Sequence, residues 1–151
     1  MIHVTPSRSA AAAVVRPVLI DPARRFLPPV RHRDAKCWSV PVVPVRAGEP
    51  YRRTAVRYLR SLTGLPGLLI TPVVGVLPAT AARRRIAYVV LARPVTGSWP
   101  QNAPALLGAG ARWWSTAQLR DAGVRVEPDT LPLFMDGYWK GWLPDGVISL
   151  A

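Results

Sequence analysis

Cysteine and long apolar runs are scarce in this sequence of 151 residues, and each scarcity excludes a class of protein. Cys37 is the single cysteine, so the chain cannot form an internal disulfide, and nothing indicates an oxidising compartment. No stretch approaches the ~18 uninterrupted apolar residues of a membrane-spanning helix. Arg16 and Pro17 cut the run Ala10–Val15 below the ~7–15 apolar residues of a secretory signal. We therefore expect a cytoplasmic protein with no membrane partner.

Acidic residues and lysines are also few. The chain has 8 Asp plus Glu against 20 Lys plus Arg, which gives a net charge of +12 and a pI near 11.5. Lys36 and Lys140 are the only lysines, so the remaining basic residues are arginines. Such a charge attracts phosphate-bearing ligands or nucleic acid, but arginine together with abundant Ala, Val and Pro also suits a GC-rich coding bias. Both interpretations stay open.

Apolar residues, by contrast, make up 50% of the chain. This content supplies enough surface to bury for one folded domain at this length. We predict a single α/β domain over residues 1–151 with a core from about residue 14 to residue 142. Neither internal repeats nor low-complexity linkers interrupt it.

Periodicity and turn residues predict the order of helices and strands. A hairpin is expected from Ala12–Ile20 and Phe26–Val30, joined at Asp21-Pro22. Helical spacing follows over Pro50–Leu62, with Pro50 in the first turn and Gly64 as the stop. The further elements expected are an irregular strand over Trp38–Val45, paired strands at Leu68–Leu77 and Ile86–Leu91, a loop over Arg93–Gly110, a helix capped by Ser115 and ending near Asp121, and a last helix capped by Asp129 and reaching Trp142.

The region of the first helix also carries a motif, between Val43 and Leu65. The residues that define the motif are Glu49, Arg57, Leu59, Gly64 and Leu65. Trp38 and Pro41 precede it, and Gly48, Ala55 and Thr63 lie within it. Their pattern resembles the box of the Nudix family: Gly, five residues, Glu, seven residues, Arg-Glu, an apolar residue, any residue, Glu-Glu, any residue, Gly and an apolar residue. Further similar segments are Val30–Asp34 and Arg112–Leu119, so the likeness spans about Val14 to Trp139. The resemblance implies an α/β/α sandwich with a mixed central sheet.

Four positions depart from the box. Val43 replaces its first Gly, and Tyr58, Ser61 and Leu62 replace three glutamates. In the family those glutamates hold the Mg²⁺ or Mn²⁺ that bridges the diphosphate and activates water. Magnesium requires oxygen ligands, chiefly carboxylates. We therefore expect no metal cofactor and no ordinary Nudix diphosphatase activity.

Candidate site residues remain, each with a structural alternative. Glu49 and Arg57 are expected to form an ion pair that fixes the loop, although Glu49 or Tyr58 can also be considered as an acid or base. Arg57 is also a candidate ligand-binding residue. Arg31 and Arg33, together with Arg83, Arg84 and Arg85, can hold a phosphate or simply line solvated loops. Trp99 is the tryptophan most suited to stacking on a ligand, whereas core packing is expected for the others. A Cys37–His32 nucleophilic pair is the weakest option, since a buried inert cysteine is commoner.

Three hypotheses of function follow. The first is a Nudix-like pseudoenzyme that binds a nucleotide, another phosphorylated metabolite or a partner protein. The second is an enzyme, either metal-independent and dependent on Tyr58 or Glu49, or a weak residual diphosphate hydrolase. The third, nucleic-acid binding, is ranked last because the arginines are spread along the chain and no nucleic-acid motif is present.

Overall fold

The structure is a computed structural model that describes residues 13–28, 30–31, 36–65, 67–95 and 112–151. Within these ranges it contains nine strands and three helices. The strands are β1 (Ala13–Ile20), β2 (Phe26–Leu27), β3 (Val30–Arg31), β4 (Cys37–Ser39), β5 (Val43–Pro44), β6 (Leu68–Leu77), β7 (Ile86–Pro94), β8 (Arg125–Glu127) and β9 (Gly146–Ser149). The helices are α1 (Tyr51–Thr63), α2 (Thr116–Ala122) and α3 (Leu131–Trp139).

The central sheet is mixed. Its strand order is β2-β1-β7-β6-β9, and β5 pairs with β1. β1 runs parallel to β7, β6 runs antiparallel to β7, and β9 runs parallel to β6. A second, three-stranded sheet has the order β3-β4-β8.

Alternation along β1 separates the two faces of the central sheet. Val14 and Val18 belong to one apolar cluster with Leu119 of α2 and Phe134 of α3. The intervening Val15 packs in a different cluster with residues of α1. Successive side chains of a strand point to opposite faces, so α1 covers one face while α2 and α3 cover the other. The α/β/α sandwich with a mixed central sheet is confirmed.

Helix α1 has the start and the stop that the sequence predicts. It begins after Pro50 and ends at Gly64, whose φ of 70° is left-handed and whose N–H donates to Arg60 O at 2.8 Å. Ala55 and Leu59, one turn apart, are buried against the sheet. The predicted helix and its stop at Gly64 are confirmed.

Helix α2 and the β6–β7 pair also follow the prediction. The Ser115 side chain accepts a hydrogen bond from Gln118 N at 3.1 Å, and the Gln118 side chain accepts one from Ser115 N at 2.9 Å. This reciprocal capping box defines the start of α2. β6 and β7 pair as expected, although β7 continues beyond Leu91 to Pro94.

Other expectations are corrected. The second hairpin strand stops at Leu27, and Val30 instead pairs with Ser39 in the smaller sheet. Asp129 does not cap α3: the N-cap is Thr130, without a side-chain hydrogen bond. Helix α3 ends at Trp139 and does not reach Trp142.

Strands β8 and β9 are not anticipated by the sequence. They have only three and four residues, too few to show a period. β9 lies beyond residue 142, where the expected core ends, and Ile148 packs against the main cluster. Within the described part of the chain, no helix combines the length and apolarity needed to cross a membrane.

Candidate functional site

The loop before α1 is fixed to the helix by Glu49. Arg57 donates from Nε to Glu49 Oε2 at 3.0 Å and from Nη2 to Oε1 at 3.1 Å. Thr54 Oγ1 donates to the same Oε1 at 2.8 Å. The expected Glu49–Arg57 ion pair is therefore present, in the two-bond geometry that restricts both side chains most strongly.

These partners make Glu49 a weak base. The hydrogen bonds from Arg57 and then from Thr54 lower the pKa of Glu49 from 4.5 to about 2. A carboxylate with that pKa is fully ionised at neutral pH and takes up a proton poorly, because general bases work best with a pKa near the working pH. The contacts of Glu49 therefore favour a structural role, fixing the loop before α1, over a role as an acid or base.

Tyr58, on the same helix, is half-buried beside the apolar core. It packs against a cluster of buried residues, which are Leu19, Leu27, Leu59, Leu65 and Ala92, and Trp113 joins the edge of that cluster. Burial raises the pKa of Tyr58, so its phenol stays protonated at neutral pH. Ser61 is exposed and Leu62 is half-buried.

The donors around α1 do not fit a magnesium ion. Glu49 is the carboxylate there, and its oxygens already accept three hydrogen bonds from Arg57 and Thr54. Across the ranges that the structure describes, no three His, Cys, Asp or Glu residues come together as a metal-binding group. Mg²⁺ needs several oxygen ligands in near-octahedral geometry, which these side chains do not supply.

A cleft of about 630 Å³ opens on the face of the sheet opposite α1. It lies between α2, β8, the start of α3 and the turn after β6. Its lining includes four arginines and two acidic residues: Arg16, Arg83, Arg120, Arg125, Glu127 and Asp129. Leu77, Leu119 and Val126 provide apolar wall. Small-molecule sites have volumes of roughly 300–1,000 Å³ and combine apolar walls with a few polar groups, and this cleft has both properties.

Arg16 reaches the cleft from the middle of β1. Its Nη2 donates to Val40 O at 2.8 Å and to Glu127 O at 3.0 Å, so it joins the central sheet to the smaller one. Its Nε is buried and has no hydrogen-bond partner among the described residues. Burial lowers the pKa of Arg16; the Glu127 carboxylate opposes that shift, and the positive charge of Arg83 adds to it.

Arg83 is held at the cleft by its own loop. Its Nη1 donates to Pro78 O at 3.0 Å, and its backbone N–H donates to Thr80 Oγ1 at 2.9 Å. Arg120 lies 3.9 Å from Asp136, at the long end of the ion-pair range. The guanidinium of Arg83 is therefore positioned in advance, without a carboxylate to neutralise it among the described residues.

The structure separates the residues that the sequence singles out. Arg83 lines the cleft, whereas its exposed neighbours Arg84 and Arg85 do not. Glu49, Arg57 and Tyr58 belong to α1 and its loop, away from the cleft lining. Arg31 lies in β3, and Arg33, His32 and Trp99 fall outside the described residues. Cys37 is buried, as the structural alternative for it predicts.

Sequence reasoning missed Arg16, Arg120 and Arg125 as cleft residues. Arg16 carried a usable signal, because it is a charged residue at an inward position of an otherwise apolar strand, and buried charges are rare without a partner. Arg120 and Arg125 carried none, since exposed arginines are common in this chain and only the fold brings these to one place.

Among known proteins, only solved structures are similar to this chain. No protein-family model and no curated protein sequence matches the chain. The solution structure of the E. coli ORF135 protein is similar with a TM-score of 0.48 and 17% identity, over 85% of this chain and 88% of that one. A NUDIX hydrolase from Nitrosomonas europaea is similar with a TM-score of 0.47 and 17% identity, over 89% of this chain and 92% of that one.

Proposed function

We propose that this chain is a degenerate Nudix-type protein that binds a small phosphorylated ligand, of nucleotide size, and does not cleave it with a divalent metal. The ligand binds in the cleft lined by Arg16, Arg83, Arg120 and Arg125, which we call the Arg16–Arg83 cleft. The observation that carries the proposal is the meeting of four arginines on one cleft of about 630 Å³. The family assignment is supported by three residues of the box. Glu49 and Arg57 form an ion pair at the start of α1, and Gly64 ends that helix.

Phosphate is the chemistry that suits this cleft. Guanidinium groups bind phosphate oxygens through paired N–H donors, and Arg83 and Arg16 are close enough for the charge of one to lower the pKa of the other. An anion between them relieves that repulsion. Glu127 and Asp129 on the same lining can accept hydrogen bonds from the hydroxyl or amino groups of the ligand.

The residues of α1 support the part of the proposal that concerns the metal. Where the box asks for glutamates, Tyr58 packs in an apolar cluster and Leu62 has no oxygen on its side chain. Glu49 is committed to Arg57 and Thr54. In the Nudix pattern this helix binds the divalent ion. In this chain its side chains pack against the central sheet.

Isothermal titration calorimetry tests the proposal. The protein is titrated with ADP, GDP and inorganic pyrophosphate, first in EDTA and then with Mg²⁺, while released phosphate is assayed in parallel. We expect binding of at least one probe in EDTA, and no metal-stimulated phosphate release. No heat from any of the three probes, or binding and cleavage that appear only with Mg²⁺, contradicts the proposal.

Two single substitutions locate the binding. Arg83→Gln removes a guanidinium at the cleft and is expected to weaken binding about tenfold or more, the loss of one charged hydrogen-bonding partner. Arg84→Gln removes the same charge from the adjacent position outside the cleft and is the matched control. Equal weakening by both variants indicates general charge attraction and not a site.

A further inference from the structure

A second cavity, of about 340 Å³, lies at the edge of the central sheet where β1 ends. Its lining comes from the end of β1, the turn that follows, β7 and α3, and consists of Ile20, Asp21, Pro22, Arg24, Arg93, Tyr138 and Trp139. None of these residues lines the Arg16–Arg83 cleft. We call this cavity the hairpin pocket.

The topology places the hairpin pocket where ligands commonly bind. β1 and β7 are parallel, with Leu19 opposite Ala92, so Ile20 at the end of β1 lies level with Arg93 near the end of β7. The carboxyl ends of these two strands therefore meet at one edge of the sheet. In α/β sheets, ligands bind outside the carboxyl ends of parallel strands.

The hairpin pocket has a positive charge that its own carboxylate does not cancel. Asp21 accepts hydrogen bonds from Arg25 Nε at 2.8 Å, Arg25 N at 2.8 Å and Ala23 N at 3.0 Å. Its carboxylate is thus occupied by the turn itself. Arg24 and Arg93 are exposed, and neither guanidinium has an ion-pair or hydrogen-bond partner among the described residues.

The backbone at Arg24 gives a second, independent observation. Arg24 has a φ of 59°, and it is the one non-glycine residue of the described ranges with positive φ. This left-handed conformation favours Gly or Asn and is strained for a long side chain. Strained residues concentrate where a side chain has a use beyond folding. Here the conformation keeps a guanidinium at the hairpin pocket, in a place where Gly would make the same turn without strain.

The aromatic wall defines the rest of the ligand. Tyr138 and Trp139 are half-buried and end α3 at the hairpin pocket. Aromatic side chains bind flat rings by stacking, and arginine binds carboxylate or phosphate. A volume of about 340 Å³ has room for one ring with a short substituent. We infer that the hairpin pocket binds a small organic anion, a single aromatic ring that carries one carboxylate or phosphate group, with Arg24 and Arg93 on the anion and Tyr138 and Trp139 on the ring.

Nuclear magnetic resonance titration of the whole chain tests the inference. Phenyl phosphate and benzoate are the two anionic probes, inorganic phosphate lacks the ring, and benzyl alcohol lacks the charge. We expect phenyl phosphate or benzoate, or both, to shift the amide signals of Arg24 and Arg93 and the indole signal of Trp139. Each effective probe should bind at least tenfold more tightly than inorganic phosphate or benzyl alcohol. The ratio of the two anionic probes tells phosphate from carboxylate.

Variants separate this site from the cleft. Arg93→Gln changes an exposed side chain and is expected to weaken phenyl phosphate or benzoate at least tenfold, with nucleotide binding in the cleft unchanged. Arg83→Gln is the matched control and should leave the hairpin pocket unaffected. Three results overturn the inference, whatever the result for nucleotides. They are shifts confined to the cleft, an affinity at the hairpin pocket that Arg93→Gln leaves unchanged, and inorganic phosphate that binds the hairpin pocket as tightly as the two anionic probes.

Discussion

The Arg57 guanidinium holds the Glu49 carboxylate through two hydrogen bonds, Nε to Oε2 at 3.0 Å and Nη2 to Oε1 at 3.1 Å, across eight positions of the chain. The pair joins the loop that precedes α1 to the middle of that helix. Both residues belong to the set that the Nudix resemblance singles out, and their ion pair fixes the loop to the helix.

Acid titration measures how much the Glu49–Arg57 pair contributes to the free energy of unfolding. The pKa of Glu49 is lowered to about 2 in the folded protein, from an ordinary value of 4.5. A lowered carboxyl pKa stabilises the fold above the unfolded value and loses that contribution as pH falls toward the folded value. We expect the contribution of Glu49 to the free energy of unfolding to disappear between about pH 4.5 and about pH 2. Denaturant melts followed by circular dichroism measure it.

Glu49→Gln is the variant for that measurement. It keeps the size and an acceptor oxygen but has no charge to titrate, so its stability should change less than that of the parent chain over the same pH window. Asp145→Asn, in the turn before β9, is the control for a general effect of one fewer carboxylate. Parallel curves for the parent and Glu49→Gln contradict the prediction.

Restoring a glutamate at position 58 is expected to damage the fold without creating an enzyme. Tyr58 packs against the cluster with Leu59 and Trp113, so a carboxylate there loses part of its hydration and lies against apolar side chains. Tyr58→Glu should cost about 1–3 kcal/mol or more in the free energy of unfolding, measured by urea melts. Tyr58→Phe keeps the ring, and we expect it to retain nearly full stability. Metal-stimulated release of phosphate from ADP by Tyr58→Glu at undiminished stability shows that this account of α1 is wrong.

The sequence predicts α1 and the paired strands well because their signals are local. The spacing of Ala55 and Leu59, together with Gly64 at the stop, needs no knowledge of the rest of the chain. β8 and β9 are too short to carry a period, and each exists because a neighbouring strand offers hydrogen bonds. The same reason explains the missed cleft, since Arg120 of α2 and Arg125 of β8 line one cleft with Arg16 only in the folded chain.

Strand β9 gives a test of packing that the sequence does not reveal. A Cβ on Gly75 of β6 would lie 2.5 Å from Leu150 Cδ1 and 3.0 Å from its Cγ, so Gly75→Ala must push Leu150 aside. We expect a loss of about 1–3 kcal/mol, the usual cost of overpacking, measured by chemical denaturation. Leu150→Ala removes the obstructing atoms, so adding Gly75→Ala to it should cost far less than in the parent chain. Simple additivity of the two changes indicates that the Leu150 side chain does not lie over Gly75.

Arg24→Gly separates stability from ligand binding at the hairpin pocket. The φ of 59° at Arg24 is unfavourable for residues with a side chain by roughly 1–2 kcal/mol and is freely adopted by Gly. The entropy of an added glycine in the unfolded chain offsets part of that gain, so we expect Arg24→Gly to raise the free energy of unfolding by up to about 1 kcal/mol. The same variant should weaken the binding of phenyl phosphate or benzoate at least tenfold, because it removes one of the two guanidinium groups.

Arg25→Gly is the contrasting change: it breaks the 2.8 Å ion pair with Asp21 and should lower stability. An Arg24→Gly protein that is less stable than the parent argues against strain at this residue, and one that binds both probes as well as the parent argues against its role in the hairpin pocket.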